Sequence, residues 1–229
     1  MAMQRFLPVM CLLTTLLLAA GSGAPDARAD SEPLKFRWAF VGYSKGHNGG
    51  ELVRIDRDVQ LRSGDRFKFF FEMMSGGYAY LVTLSSQAEL YLLFPPNLGR
   101  YDIPPPPAGE YYIPSGVNWF QLDDQKGQER FYLLVSKERL LEFEALLKGY
   151  LAATGDQKAA FRDSVLSEIR RLRWKYRKFK KPAERPVAVM GQTRGVKKSA
   201  PPNADAVSAL ATPVEADNFF SRTFTIDHQ

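Results

Sequence analysis

Cysteine and histidine are almost missing from this sequence. It holds one cysteine, Cys11, and two histidines, His47 and His228, in 229 residues. Cys11 lies in an apolar run near the N-terminus. The rest of the chain therefore has no disulfide, no thiol nucleophile and no sulfur ligand for a metal. Neither histidine has a partner at metal-ligand spacing, so no metal or cofactor is expected. No Gly-x-Ser-x-Gly elbow occurs, although a Ser-His-Asp arrangement drawn from distant segments is not excluded by counting. The glycine-rich stretch Ser44–Gly50 lacks the Gly-Lys-Ser/Thr ending of a phosphate loop. Asp123 and Asp124 are adjacent carboxylates in a strand-ending turn and point different ways, which favours a solvated turn over a glycosidase pair. Internal repeats are absent. The chain reads as non-catalytic.

Positive charge is absent from most of the chain as a surplus. The formal charge is +6. Residues 1–29 contain Arg5, Arg28 and Asp26, so the remainder carries +5. Residues 170–181 hold eight cations and no acid, which leaves everything else at −3. The basic character is local. A nucleic-acid binder shows a fold-wide basic surface, so nucleic acid is not an expected partner.

Residues 1–29 read as a secretory signal peptide. Arg5 supplies the charge, Phe6–Ala20 the apolar run, and Ala27-Arg28-Ala29 a small-x-small site before Asp30. At about 1.5 Å per residue the run reaches roughly 22 Å, short of a bilayer core of about 30 Å. An uncleaved anchor is the competing reading. Cys11 follows Met10, where a lipid-modified cysteine wants a small neighbour. Export to the periplasm or cell envelope is expected.

What the chain does have is aromatic alternation. Lys35–Tyr43 places Phe36, Trp38 and Phe40 on one strand face, and Arg66–Met74 does the same with Phe67, Phe69 and Phe71. Leu52–Ile55 and Val59–Leu61 are short strand candidates. Gly77–Pro96 reads as a hairpin with apolar residues on both faces, a turn at Ser85–Ala88 and a proline stop. Asn97–Glu110 reads as an extended surface connection stiffened by Pro104–Pro107. Tyr111–Pro114, Val117–Leu122 and Glu129–Val135 are further strands, the last of central type. Tyr78, Tyr80, Tyr91, Tyr101, Tyr111, Tyr112 and Trp119 are expected mostly in the core, with a subset available to line a sugar or peptide groove.

The period then changes to three and four. Ser136 is a plausible N-cap for a helix with apolar residues at Leu140, Leu141, Phe143, Leu147, Tyr150 and Leu151, which is helical spacing. Thr154-Gly155 closes it. Asp156 caps a second, long helix carrying Phe161, Val165, Ile169, Leu172, Tyr176 and Phe179 and stopped by Pro182. Residues 182–217 read as a linker, with a brief strand at Val187–Met190. Residues 218–229 alternate Phe220, Arg222, Phe224 and Ile226, and are expected to return to the sheet as an edge strand. The fold class is thus mainly β: an antiparallel β-sandwich over residues 30–136, a two-helix appendage over 137–181 whose second helix is long and basic, and a C-terminal returning strand.

Several pieces resemble a bacterial family of unknown function, DUF4384. They are Leu61–Phe67, the strand from Gly77, Leu93-Phe94-Pro95, Tyr112-Ile113-Pro114, Phe120–Asp123 and Gly127–Ser136. Ser85–Ala88 departs from the Gly-Lys-type turn usual there. The resemblance implies a small β-sandwich of exported or envelope proteins. The family is also found attached to kinase or caspase-like modules, neither of which is in this sequence. It carries no established catalytic residues to transfer.

Two binding expectations follow. The first is an interaction module of the envelope that binds another protein. The second is an anionic-surface binder, engaging a lipid headgroup or polyanion through Arg170, Arg171, Arg173, Trp174, Lys175, Arg177 and Lys178, since each cation near an anionic surface contributes about 1 kcal/mol. The plain alternative is a solvated helix face whose aromatics pack on the sandwich.

Overall fold

The strands follow the aromatic alternation closely. In the computed structural model, which describes residues 32–44, 50–102, 108–177, 183–184 and 204–229, the elements are β1 (Leu34–Ser44), β2 (Glu51–Arg54), β3 (Asp58–Leu61), β4 (Arg66–Met73), β5 (Tyr78–Leu84), β6 (Leu90–Phe94), β7 (Gly109–Ile113), β8 (Phe120–Gln121) and β9 (Gly127–Ser136). Helices α1 (Leu141–Ala152) and α2 (Gly155–Tyr176) follow, then β10 (Ala183–Glu184), α3 (Ala204–Ser208), β11 (Thr212–Ala216) and β12 (Phe219–His228). All lie in one unit, Glu32–Gln229.

The strands form two sheets. One runs β10-β11-β1-β4-β7, with β2 also on β1 and β8 also on β4; the other runs β3-β12-β9-β5-β6. Pairing is antiparallel except for β12 with β3. Facing side chains of the two sheets make the main core. Phe36, Trp38 and Phe40 of β1 meet Phe67, Phe69 and Phe71 of β4, and Phe131, Phe220 and Phe224 close it from the other sheet. Phe40 stacks on Phe69 at 3.8 Å between ring centres. Each such ring taken from water stabilises the fold by about 1.5–3 kcal/mol.

The outer faces are covered as well. α1 and α2 lie on the second sheet, where Phe143, Leu147, Val165, Ile169 and Leu172 pack on Tyr80, Val82 and Leu134. Val207 and Ala211, at and just after α3, cover Ala39, Val41 and Phe70 of the first sheet. This explains why β5 is apolar on both faces. A buried polar network fastens the helices. The Tyr80 hydroxyl donates to Glu144 Oε1 at 2.7 Å and accepts from the Leu140 N–H at 3.2 Å. Arg139 clamps Glu144 and also reaches Asp102 and the Tyr101 carbonyl, each at 2.8 Å. Burial first, and then the Glu144 hydrogen bond, raise the Tyr80 pKa.

Several expectations are corrected. Ser136 does not cap a helix; it ends β9, paired with Phe219 and Tyr78, and α1 begins five residues later after Leu140. Sheet pairing on both sides outcompetes a local cap. Thr154 rather than Asp156 is the N-cap position of α2. Leu141 and Leu151 point to solvent, on the side of α1 away from the sheet. Leu98–Asp102 is a 3-10 turn with Leu98 and Tyr101 buried, not extended chain. Only Phe120–Gln121 of Val117–Leu122 is strand, and Val117 is exposed. The supposed linker 182–217 contributes β11, which pairs with β1 from Leu34 to Trp38, and α3. β12 is an inner strand, not an edge: it sits between β3 and β9 and pairs with β9 from Phe219 to His228. Residues 45–49, Pro104–Pro107 and Val187–Met190 lie outside the described residues, as do residues 1–31.

Candidate functional site

The two sheets do not close on each other along one side. β6 is the last strand of its sheet, and β7 and β8 end the other. Phe94 meets Tyr111 at 5.0 Å and seals one end of this side. Toward the other end β8 is only two residues long, and a pocket of about 460 Å³ remains between the sheets. Phe67, Phe120 and Leu122 line it from the first sheet; Thr83, Leu93 and Phe131 line it from the second. Tyr91, 53% exposed, stands at the mouth on β6. It is the member of the tyrosine set that the fold leaves accessible there. Tyr80 and Tyr101, by contrast, are buried.

The wall formed by β8 is held by one buried lysine. Lys68 sits on the outer face of β4, 1% exposed. Its Nζ donates to the carbonyls of Pro114, Gly116 and Asn118 at 2.8, 2.8 and 2.5 Å. The ammonium also lies 5.8 Å from the ring centres of Tyr112 and Trp119. A charge is buried here only because carbonyl oxygens replace its water. Nothing in the alternating pattern of β4 marks Lys68 as different from an exposed strand lysine, so sequence reasoning missed it.

Polar groups gather at the mouth. Asp123 Oδ1 accepts from the Gln125 N–H at 2.8 Å, and Glu129 Oε1 accepts from the Ser86 N–H at 3.0 Å. Neither carboxylate has an ion-pair partner among the described residues. His228, buried, also lines the pocket, and its Nε2 lies 3.1 Å from Ser63 Oγ. Among the described residues no carboxylate contacts the other ring nitrogen.

β6 presents an unpaired edge beside the pocket. Among the described residues it pairs only with β5. The Leu90 N–H points away from β5, to the Tyr150 hydroxyl at 2.9 Å. Ladder alternation directs the Leu92 N–H the same way, away from β5.

The basic residues of α2 divide. Arg171 is committed to acids: it reaches Glu168 at 2.6 Å and Glu142 at 2.6 Å, and the Glu168 bond raises its pKa. Arg170 hydrogen-bonds Ser167, and Arg173 reaches Thr223 of β12 at 3.2 Å. Lys175 lies 4.9 Å from the Tyr176 ring centre, and Tyr176 stacks on Phe219 at 4.7 Å. Trp174 is 58% exposed, with the Arg177 guanidinium 5.5 Å above its ring. Arg170, Arg173, Trp174 and Arg177 follow i, i+3, i+4, i+7 spacing and share one exposed stripe. Lys178 lies outside the described residues.

The sequence pieces that carry the family resemblance, Leu61 to Ser136, run from the end of β3 to the end of β9. Residues 60–139 match the family model described as Domain of unknown function (DUF4384). No curated protein and no solved structure matches the chain. The DUF4384 segment supplies both pocket walls and the β6 edge; of the lining residues named above, only His228 comes from outside it. It does not supply β1 or β12, which lie inside the two sheets, nor the basic α2.

Proposed function

We propose that the protein is an exported, non-catalytic interaction module of the bacterial cell envelope, and that it binds another protein along β6. The carrying observation is the pairing of an unpaired strand edge with an apolar pocket opening beside it. An extended segment gains main-chain hydrogen bonds from such an edge and specificity from a pocket that takes alternate side chains. Export is supported by the signal-like residues 1–29. The test is capture from envelope extract with Leu92→Pro and Leu92→Val side by side. Proline removes the edge donor and leaves the β5 ladder intact. A partner retained by Leu92→Val and lost by Leu92→Pro supports the reading; equal capture by both refutes it.

A second reading has its own observation, the exposed stripe of Arg170, Arg173 and Arg177 around Trp174. This arrangement suits an anionic surface, with the indole at the interface and the guanidiniums on phosphate. Retention on anionic vesicles is expected to fall with salt and with Trp174→Ala. Salt-independent retention would sink it.

A further inference from the structure

The proposal that a partner strand adds to β6 leaves open which side chain it places in the pocket, and the chemistry of the pocket answers this. Its walls are apolar and aromatic, with Phe67, Phe120 and Phe131 inside and Tyr91 at the mouth. Its charged lining is acidic: Asp123 and Glu129, each with one carboxylate oxygen not engaged by the backbone. Among the described residues, no lysine or arginine lines it. Arg66 approaches only from outside, with Nε 3.4 Å from Gln121 Oε1. A purely apolar guest would pair with neither carboxylate. An acidic guest would meet them with like charge. Lysine and arginine combine an apolar stem with a cationic head. The stem fits the aromatic walls, and the head meets both the ring faces and the two carboxylates.

We propose that the pocket receives a lysine or arginine side chain of the strand added along β6. This rests on the edge-strand reading, and the experiment separates the two. The full chain is titrated with n-hexylammonium, n-hexanol and n-hexanoate while amide NMR shifts are followed at Leu93, Glu129 and Phe131. Hexylammonium is expected to bind about three- to tenfold more tightly than hexanol, the range two half-exposed ion pairs supply. Hexanoate is expected to bind more weakly than either. Asp123→Asn with Glu129→Gln is expected to erase the preference for the cation and leave hexanol binding unchanged. Hexanoate binding as well as hexylammonium, or no shift with any probe, overturns the assignment.

The source of the side chain is tested with a capped pentapeptide of alternating threonine and valine around a central lysine. It is expected to bind more tightly than hexylammonium, and its N-methylated counterpart, unable to donate to the edge, to lose that gain. A lysine peptide no tighter than hexylammonium overturns the added strand as the source, with the pocket's preference for a cation still read from the small probes.

Discussion

Removing one oxygen from Tyr80 tests how the helices are fastened to the sandwich. The Tyr80 hydroxyl has two partners, Glu144 and the Leu140 N–H, at 2.7 and 3.2 Å. Tyr80, Leu140 and Glu144 are 0%, 7% and 2% exposed, so water does not replace the lost group. In Tyr80→Phe, Glu144 keeps Arg139, so no charge is left unpaired. The loss is one hydrogen bond to a charged group, about 1.5–3 kcal/mol, and one stranded buried N–H, about 1–3 kcal/mol. The two overlap in part, and a total of about 3 kcal/mol is expected, or a drop in Tm of about 6–12 °C for a chain of this size. Urea and thermal unfolding measure it. Hydrogen exchange locates it, with protection falling in α1 and α2 before the core strands. A double-mutant cycle with Glu144→Gln is expected to show coupling of about 1 kcal/mol or more. A loss below about 1 kcal/mol, or strictly additive mutants, would refute the account, because it would mean the hydroxyl is not the joint between helix and sheet.

Other consequences are open to direct measurement. Gly149→Ala on α1 places a methyl group 2.3 Å from the Phe161 ring of α2, so calorimetry is expected to show a loss of about 1–3 kcal/mol; an unchanged Tm would mean that the helices part easily. Lys68→Met strips three carbonyls of their donor and is expected to cost about 2–4 kcal/mol, with loosening of 114–119 in hydrogen exchange and weaker hexylammonium binding. Glu89 has its pKa lowered first by the Lys158 hydrogen bond and then by Tyr150, and Asp102 has its pKa lowered by Arg139. Folded pKa values below the unfolded ones contribute stability above the ordinary carboxylate range, and that stability is lost as pH falls through the lowered values. Unfolding midpoints are therefore expected to decline below about pH 4.5, with a shallower decline in Lys158→Met. Trp174→Ala is expected to change stability by less than about 0.5 kcal/mol, since the side chain is exposed; a larger loss would make the indole structural.

Local pattern carried the elements well and their neighbours poorly. Phe36, Trp38 and Phe40, and likewise Phe67, Phe69 and Phe71, announce strands because a period of two puts them on one face. The three- and four-residue recurrence from Phe143 to Leu172 announces helices for the same kind of reason. Period says nothing about which strand lies alongside. Alternation over 218–229 alone therefore suggests an edge strand, although β12 is flanked on both sides. β11 was hidden because Thr212–Ala216 contains a proline and alternates weakly, yet Val214 and Ala216 enter the core. The pocket was not legible at all, since Phe67, Leu93, Phe120 and Phe131 come together only when the two sheets stack. The basic helix was legible as composition. Which of its cations are spent on Glu142 and Glu168 was not, because that depends on α1 lying against α2.

The place of β12 sets the order in which this protein can be completed. Residues 219–228 fill the gap between β3 and β9, so the second sheet stays in two parts until they arrive. A nascent chain that has delivered only the first two hundred residues holds β9 with one flank bare and Phe131 missing the cover of Phe224. Such an intermediate cannot reach its final packing. β12 is thus the latch of the second sheet: among the described residues it is the strand that ties β3 to β9.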